Sequence, residues 1–460
     1  MHNPNHKCDF PVIKTFVYNN NYYFYDTYAN RIIQVTKQHY LELSKLEHNG
    51  ISWYNKENNN SKYYKDIQML MRKGMLKSSF IKHIQREETE YIQDFVTKGI
   101  NDISLQITRD CNFNCRYCMF ANESRIDRKH EKLDMSWDIA KASIDFVYHN
   151  AGDSKFINVA FYGGEPLLNF QLISKVVDYI NKLFITKKII YSMTTNASVL
   201  TDEIIKFLAE NKFRLSISLD GPKEIQNKHR KFFSNGGGTF EVVYNNLKKL
   251  KEKEPNYFQE YVNYLPVILV DENHNDVLSF FYSLGIKKDK IHFLDADFSG
   301  NDYYYNNYNI IADSYFSRNE LLLTNVEKRL KESYFDKGSL PTTWHHGGMC
   351  IPAVCRLFVD ANGVFYPCEK IINREYLSIG SLTEGINLKK IKELMNIGKL
   401  TEKECKNCWA ARFCEICAMF CFDVERDVIT KEQKNRACKY QRSRALAFMK
   451  KYIDDSQDCR

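Results

Sequence analysis

Cys111, Cys115 and Cys118 lie in the run Thr108-Arg109-Asp110-Cys111-Asn112-Phe113-Asn114-Cys115-Arg116-Tyr117-Cys118. Their Cys-x₃-Cys-x₂-Cys spacing supplies three thiolates to an iron–sulfur cubane that needs four ligands. One iron is left open, and an open iron can bind and reduce a small molecule. Structural zinc takes four protein ligands, often from two Cys-x₂-Cys knuckles, so the triplet is a poor zinc motif. The other cysteines of the 14 are unevenly spread: one at 8, none from 119 to 349, then ten from 350 onward. A disulfide scaffold would not leave so long a stretch bare.

Elements of a definite kind must position these thiols. Strand-like runs fall at 103–108, 157–162, 189–194, 213–219, 262–270 and 290–294, alternating with helical stretches. Between the first two, Ile139, Ser143, Phe146 and Val147 share one face of an amphipathic helix, with Asp134 as its expected cap. Six such strands predict an α/β fold with a parallel, barrel-like sheet, and the chemistry of such barrels collects at the C-terminal strand ends. The distinctive residues fall there: the triplet after strand one, Gly163-Gly164-Glu165 after strand two, Thr195-Asn196 after strand three and Asp220-Gly221-Pro222 after strand four.

Before this region, residues 1–95 carry short aromatic and β-branched runs at 15–18, 22–25 and 31–35, then helical spacing at 37–46 and 64–76, predicting a small α+β module. After it, residues 301–345 form an aromatic connector with helical spacing at 315–333, and residues 346–460 hold the cysteine-rich tail. No uninterrupted apolar run approaches the roughly 18 residues that span a bilayer. The start, Met1 to Lys7, lacks the apolar core of a signal peptide. A cytoplasmic protein with no membrane partner is expected, and there cysteines are more often metal ligands than disulfides. The net charge of +8 is dispersed, with no basic stripe or stacking motif for nucleic acid.

Together the motifs resemble the radical S-adenosylmethionine (SAM) superfamily. Cys111, Cys115 and Cys118 match its cluster motif, and Tyr117 holds the aromatic place that the family packs near adenine. Gly163-Gly164-Glu165-Pro166 matches the family's GGEP, whose Glu accepts from the methionine ammonium. Asn196 sits at the family's ribose contact, and Ser218, Asp220 and Arg230 resemble further SAM contacts, Arg230 as a carboxylate partner. The resemblance implies a partial (β/α)₆ barrel and an oxidoreductase chemistry in which a reduced cluster splits SAM. The resulting 5′-deoxyadenosyl radical abstracts hydrogen from an unactivated C–H bond.

The tail, with Cys350-x₁₂-Gly363-x₄-Cys368, Cys405-x₂-Cys408-x₅-Cys414 and Cys438, resembles a SPASM domain. That implies two auxiliary [4Fe–4S] clusters, making three in all. By resemblance one takes Cys350, Cys355, Cys368 and a cysteine just past 414, and the other takes Cys405, Cys408, Cys414 and Cys438. The family pattern puts a cysteine at 418, where this chain has Ala418, so Cys417 and Cys421 both stand as the missing ligand, with Cys417 preferred. Zinc between Cys405-x₂-Cys408 and Cys414-x₂-Cys417 is the structural alternative. Glu369 follows Cys368 where sulfatase-maturating relatives carry a catalytic Asp; a solvated surface Glu is the other reading.

Residues 1–95 resemble the winged-helix-like leader-recognition element of the peptide-modifying branch, which implies strand addition at a sheet edge. Deleting residues 1–90 is then expected to abolish leader binding and spare SAM cleavage. The whole resembles maturases of Cys-rich, ribosomally made peptides. They act on a precursor peptide with a leader, take electrons from a flavodoxin or ferredoxin, and form cysteine thioethers. Other C–C or C–O cross-linking, formylglycine formation and a non-catalytic iron–sulfur electron carrier are the alternatives.

Overall fold

The structure, a computed structural model, describes residues 9–58, 60–118, 130–269, 274–295, 341–346, 351–370, 374–423 and 425–458. Most of the connector, with its helical spacing at 315–333, lies outside the described residues, as do Cys8, Cys350 and Cys459.

The chain opens with an antiparallel meander of β1 (Ile13–Tyr18), β2 (Asn21–Asp26) and β3 (Arg31–Val35). Asn19 and Asn20 join β1 to β2 at φ 46° and 58°, the left-handed pair that a two-residue hairpin needs and that Asn tolerates. Helix α1 (Lys37–Asn49) follows, capped by the Thr36 hydroxyl, which accepts from His39 N. One face of the meander buries Ile13 and Phe24 against Leu43 and Leu46 of α1, Tyr54, Ile67 and Leu76. The other face turns Phe16, Tyr23 and Tyr25 toward the tail.

The central sheet carries five of the six strands expected from the sequence; the sixth, expected at 290–294, lies outside it. Its parallel part runs β10 (Val262–Tyr264), β8 (Arg214–Ile217), β7 (Lys188–Thr195), β6 (Phe156–Gly163) and β4 (Asp102–Thr108). On the open side of β4, the tail adds β13 (Leu357–Val359) in parallel, then β14 (Val364–Tyr366), β15 (Gly380–Ser381) and β16 (Gly385–Ile386) antiparallel. Two expectations are corrected. The fifth strand breaks at Pro266, which has no N–H for the ladder, and only 262–264 joins the sheet. Beyond it β11 (Val267–Ile268) pairs in parallel with β12 (Leu294–Asp295) as a separate ribbon. The helix α4 (Trp137–Asn150) is capped by Ser136, which accepts from Ile139 N at 3.2 Å, not by Asp134.

The two faces of the sheet differ. Ile157, Val159 and Phe161 of β6, with Ile103, Leu105 and Ile107 of β4, are buried under helices α4 and α5 (Phe170–Leu183) and their neighbours. On the opposite face Asn158, Ala160 and Tyr162 of β6, Ser192 and Thr194 of β7, and Ser216 and Ser218 on and just after β8 remain partly exposed. A parallel sheet is normally covered on both sides; here the second face is partly exposed over β6, β7 and β8, while on β4 Ser104 and Gln106 are buried and Tyr162 packs against Phe358.

The N-terminal meander is not a separable appendage. Phe16, Tyr23 and Tyr25 share one core with Ala410, Phe413, Ala445, Phe448, Met449 and Ile453. Tyr18 Oη donates to Asp454 Oδ2 at 2.6 Å, and Arg412 Nε to Thr27 O at 3.3 Å. Burying each of these large side chains contributes about 1.5–3 kcal/mol, so removing residues 1–90 strips several such contributions from the tail and bares an apolar face. The expected outcome of that truncation is therefore corrected: aggregation or a fall in Tm of the remaining chain, measured by size exclusion and thermal melting. A monomeric truncation with unchanged Tm would refute the shared core.

Candidate active site and cysteine clusters

The cysteine loop leaves β4 at Thr108 and is gripped from two sides. On one side Gly164 N donates to Thr108 O at 3.0 Å and Glu165 N to Asp110 O at 2.8 Å. A Cβ on Gly163 would stand 2.2 Å from Thr108 O and one on Gly164 2.1 Å from Asp110 O, so both positions need glycine. The close approach is to the protein's own cysteine loop. On the other side β5 (Phe113–Cys115) pairs antiparallel with β9 (Arg230–Phe232), placing Cys115 opposite Arg230.

Arg230 is buried and forks onto Asp220, Nε to Oδ2 at 2.9 Å and Nη2 to Oδ1 at 3.0 Å, while Nη1 points to Cys115 Sγ at 3.9 Å. Tyr117 donates its hydroxyl to Asp220 Oδ2, and its ring lies 5.3 Å from the Arg230 guanidinium carbon and 5.9 Å from His229. Val267 N donates to Asp220 Oδ1 at 3.0 Å, and Gln226 Oε1 accepts from Asp220 N at 2.9 Å. Sequence reasoning placed Asp220 and Arg230 among ligand contacts, Arg230 as a partner for the ligand carboxylate. In the structure their partner is each other, and together they fix Tyr117 and Cys115. Losing one member would leave a buried charge uncompensated, at a cost of about 3–5 kcal/mol.

Glu165 is fully buried. It accepts from Thr195 Oγ1 at 2.7 Å, Asn196 N at 2.7 Å and Leu167 N at 3.1 Å. Burial pushes its carboxyl up to about 7, against these hydrogen bonds, which pull it down. Asn196 donates to Asn112 Oδ1 at 2.9 Å and accepts from Ser198 N at 2.9 Å, joining the end of β7 to the cysteine loop. Ser218, at the end of β8, is half-buried with its N–H on Thr195 O. Burial raises the Cys111 thiol and takes Cys115 up to about 12, so a cluster binding there must displace their protons. His130, whose Nε2 is 3.8 Å from Cys118 Sγ, was not anticipated; nothing in its spacing marks it.

In the tail, Cys405, Cys408, Cys414 and Cys438 line one cavity of about 280 Å³. These are the four thiols grouped by resemblance. Among the described residues, no three His, Cys, Asp or Glu side chains gather tightly enough for a single metal ion. Of the other set, Cys350 lies outside the described residues, Cys355 is exposed and Cys368 is half-buried. Cys417 lies near enough to Cys368 to help raise its thiol, which burial first and Glu369 next push up to about 12. Cys421 is fully buried among Ile397, Ile416 and Ala437.

Glu369 is held by Arg356, whose Nη1 donates to its two carboxylate oxygens at 3.0 and 3.2 Å. Arg356 Nε also lies 3.6 Å from Asp102 Oδ1, and Asn158 Nδ2 donates to Asp102 Oδ2 at 3.2 Å. This group sits at the start of β4, and the cysteine loop leaves its other end. The strand's seven residues span about 20 Å. The cysteine loop and the Glu369–Arg356 pair thus lie near opposite ends of β4. Sequence reasoning also missed Lys434, buried against Cys405; its place four residues before Cys438 on one helix was the available signal.

Comparison with known proteins accords with this geometry. Residues 105–281 match the Radical SAM superfamily. The chain is 38% identical over 123 residues to an uncharacterized protein of Methanocaldococcus jannaschii, a match covering 27% of this chain and 40% of that protein. It is 28% identical over 348 residues to a cysteine-type anaerobic sulfatase-maturating enzyme of Clostridium perfringens, covering 69% of this chain and 88% of the relative. The fold is shared with the solved structure of native anSMEcpe with bound AdoMet and Cp18Cys peptide (TM-score 0.56, 23% identity, 78% of this chain and 99% of that one). The chain carries a radical SAM domain and is a radical SAM family enzyme.

Proposed function

We propose that this enzyme modifies a ribosomally made, cysteine-containing precursor peptide, joining a cysteine sulfur to carbon in a thioether. The observation that carries this reading is the cavity lined by Cys405, Cys408, Cys414 and Cys438. Joining sulfur to carbon removes two hydrogens from the peptide. One leaves as a hydrogen atom taken by the 5′-deoxyadenosyl radical and the other as a proton, so one electron is left over and needs an acceptor. A tail cluster is such an acceptor.

The residues present fit the implied groups. Cys111, Cys115 and Cys118 would hold the first cluster, which, when bound and reduced, supplies the electron that cleaves SAM. Glu165 would accept from the methionine ammonium, Tyr117 would pack near adenine, and Asn196 and Ser218 would face the ribose side. In the tail, Cys405, Cys408, Cys414 and Cys438 would hold one auxiliary cluster, and Cys350, Cys355, Cys368 and Cys417 the other. The partly exposed face of the sheet over β6, β7 and β8 would take the peptide segment, with Glu369 and Arg356 near the end of β4 opposite the cysteine loop. The leader would add to β3, the outer strand of the meander, since the β1 edge is engaged by Glu47, which accepts from Thr15 N at 2.9 Å. A flavodoxin or ferredoxin would supply electrons.

Formylglycine formation is the second reading. It is favoured by the match along 88% of the sulfatase-maturating relative, and Glu369 would then serve where the resemblance puts a catalytic Asp. Anaerobic co-expression with a short cysteine-rich peptide encoded nearby, followed by tandem mass spectrometry, separates the two. A thioether is expected to lower the mass by two hydrogens per link, consume one alkylatable thiol and leave no aldehyde. A hydrazide-reactive aldehyde would instead favour formylglycine. Unmodified peptide alongside 5′-deoxyadenosine release would overturn the maturase reading.

Glu165 gives a pH test. Its carboxyl titrates near pH 7 in the folded protein, so its attraction for an ammonium is present above that pH and lost as pH falls through it. SAM affinity is expected to weaken roughly tenfold per unit as pH falls below about 7. Glu165→Gln should bind weakly and show no such slope. Anaerobic equilibrium dialysis with labelled SAM measures both, and a wild-type slope retained in the variant would remove Glu165 from the site.

A further inference from the structure

Lys434 is the one lysine among the largest fully buried side chains, and it lies in the wall of the four-cysteine cavity. Its Nζ donates to Cys405 Sγ at 3.2 Å and to the Thr401 hydroxyl. Among the described residues no carboxylate lies within salt-bridge distance of it; Glu404, in the same cavity wall, attracts it through space but is itself paired with Lys431. A buried ammonium whose partners are a thiol and a hydroxyl is poorly compensated, unless the cavity itself holds negative charge. Arg442, two turns along the same helix α9 (Lys431–Asp458), places a second cation on Cys408 through a side-chain hydrogen bond. Trp344 adds a buried indole N–H in the same cavity wall, with no acceptor among the described residues. Three donors, two of them cationic, therefore converge on a space framed by four thiols.

Resting on the reading of this cavity as an auxiliary-cluster site, we propose that Lys434 and Arg442 are positioning residues that raise the reduction potential of the cluster held by Cys405, Cys408, Cys414 and Cys438, making it the terminal electron acceptor within the chain. The potential of a thiolate-bound cluster depends on net charge, hydrogen bonds to sulfur and solvent exposure. Reduction adds one negative charge to the cluster and breaks no bond. A fixed cation on Cys405 and another on Cys408 favour the reduced form, and the buried one is screened little by solvent. The electron left by bond formation would come to rest here until an external one-electron carrier removes it.

The test is an EPR-monitored redox titration of the full-length reconstituted protein, in a background where Cys111, Cys115 and Cys118 are alanine. Cys405→Ala/Cys408→Ala identifies which signal belongs to this site. Lys434→Met is expected to shift the reduction equilibrium of that signal at least tenfold toward the oxidised form, a fall of about 59 mV for one electron. Lys434→Arg should keep the wild-type midpoint. Arg442→Met should give a smaller fall in the same direction, and it carries the test if Lys434→Met does not load iron. Full iron content with an unmoved midpoint in the loaded variants would overturn the proposal while leaving the cluster site intact. Iron and sulfide content unaffected by Cys405→Ala/Cys408→Ala would overturn the site itself, and the proposal with it.

Discussion

The ion pair between Arg230 and Asp220 is the interaction on which the arrangement of the radical site depends. Both side chains are out of water, and each hydrogen bond of the pair fixes something else. Arg230 starts the strand β9 that pairs with the cysteine loop, so its backbone sets the loop's register while its side chain spans to Asp220. Asp220 in turn holds the Tyr117 hydroxyl and the start of β11 at Val267 N. A hydrophobic pair of equal volume would fill the space as well, and such replacements often cost nothing in stability. It could not align three chain segments through directional bonds. On the other flank the two glycines admit Thr108 and Asp110 at distances no side chain would allow. The loop is clamped by an ion pair on one side and by bare backbone on the other.

The sheet then separates stability from function by face. One alternate set of residues along β4 and β6 is buried under helices and carries the core. The other set on β6, β7 and β8 is short, polar and partly exposed. Strand alternation makes this division available to any sheet, but a parallel sheet seldom uses it because helices cover both faces. Here the tail extends the sheet at the edge of β4, through β13 in register with Ile103 to Leu105. Arg109 reinforces that seam, linking the strand end before Cys111 to Asp360 in the β13–β14 turn at 3.3 Å.

Much of this was legible in the sequence because its signals are local. Strand positions followed from apolar runs, and the cysteine groupings came from resemblance to a known cysteine pattern. Cys405, Cys408, Cys414 and Cys438 of the tail line one cavity. What could not be read depends on pairs distant in sequence. Nothing near Arg230 says whether its fork meets a ligand or Asp220. Asp134 and Ser136 are both good caps, and only the helix's actual first turn decides between them. Pro266 did mark the end of a strand, and reading 262–270 as one run overlooked that it lacks a donor. The union of the meander with the tail is invisible to any local pattern, since Phe16 and Tyr25 meet Phe413 and Phe448 across most of the chain.

That union bears on how the peptide reading and the electron reading fit together. The shared core places Cys408 and Trp409 directly against the meander that contains Phe16, Tyr23 and Tyr25. Thr27, in the turn after β2, bonds Trp409 O, and Tyr18 bonds helix α9, which also carries Lys434 and Cys438. A leader strand added at β3 would therefore be two strands away from residues that pack on the loop bearing Cys408. Ordering an edge strand tightens the strands beside it, and packed cores pass such shifts on because they have little free volume to absorb them. A separate recognition domain on a tether would only raise the local concentration of substrate. If the meander binds the leader and the tail holds the acceptor, as proposed, a recognition sheet built into the wall behind that site would tie substrate capture to the part of the molecule where the electron is to be left, a structural reason for the meander and the tail to share one core.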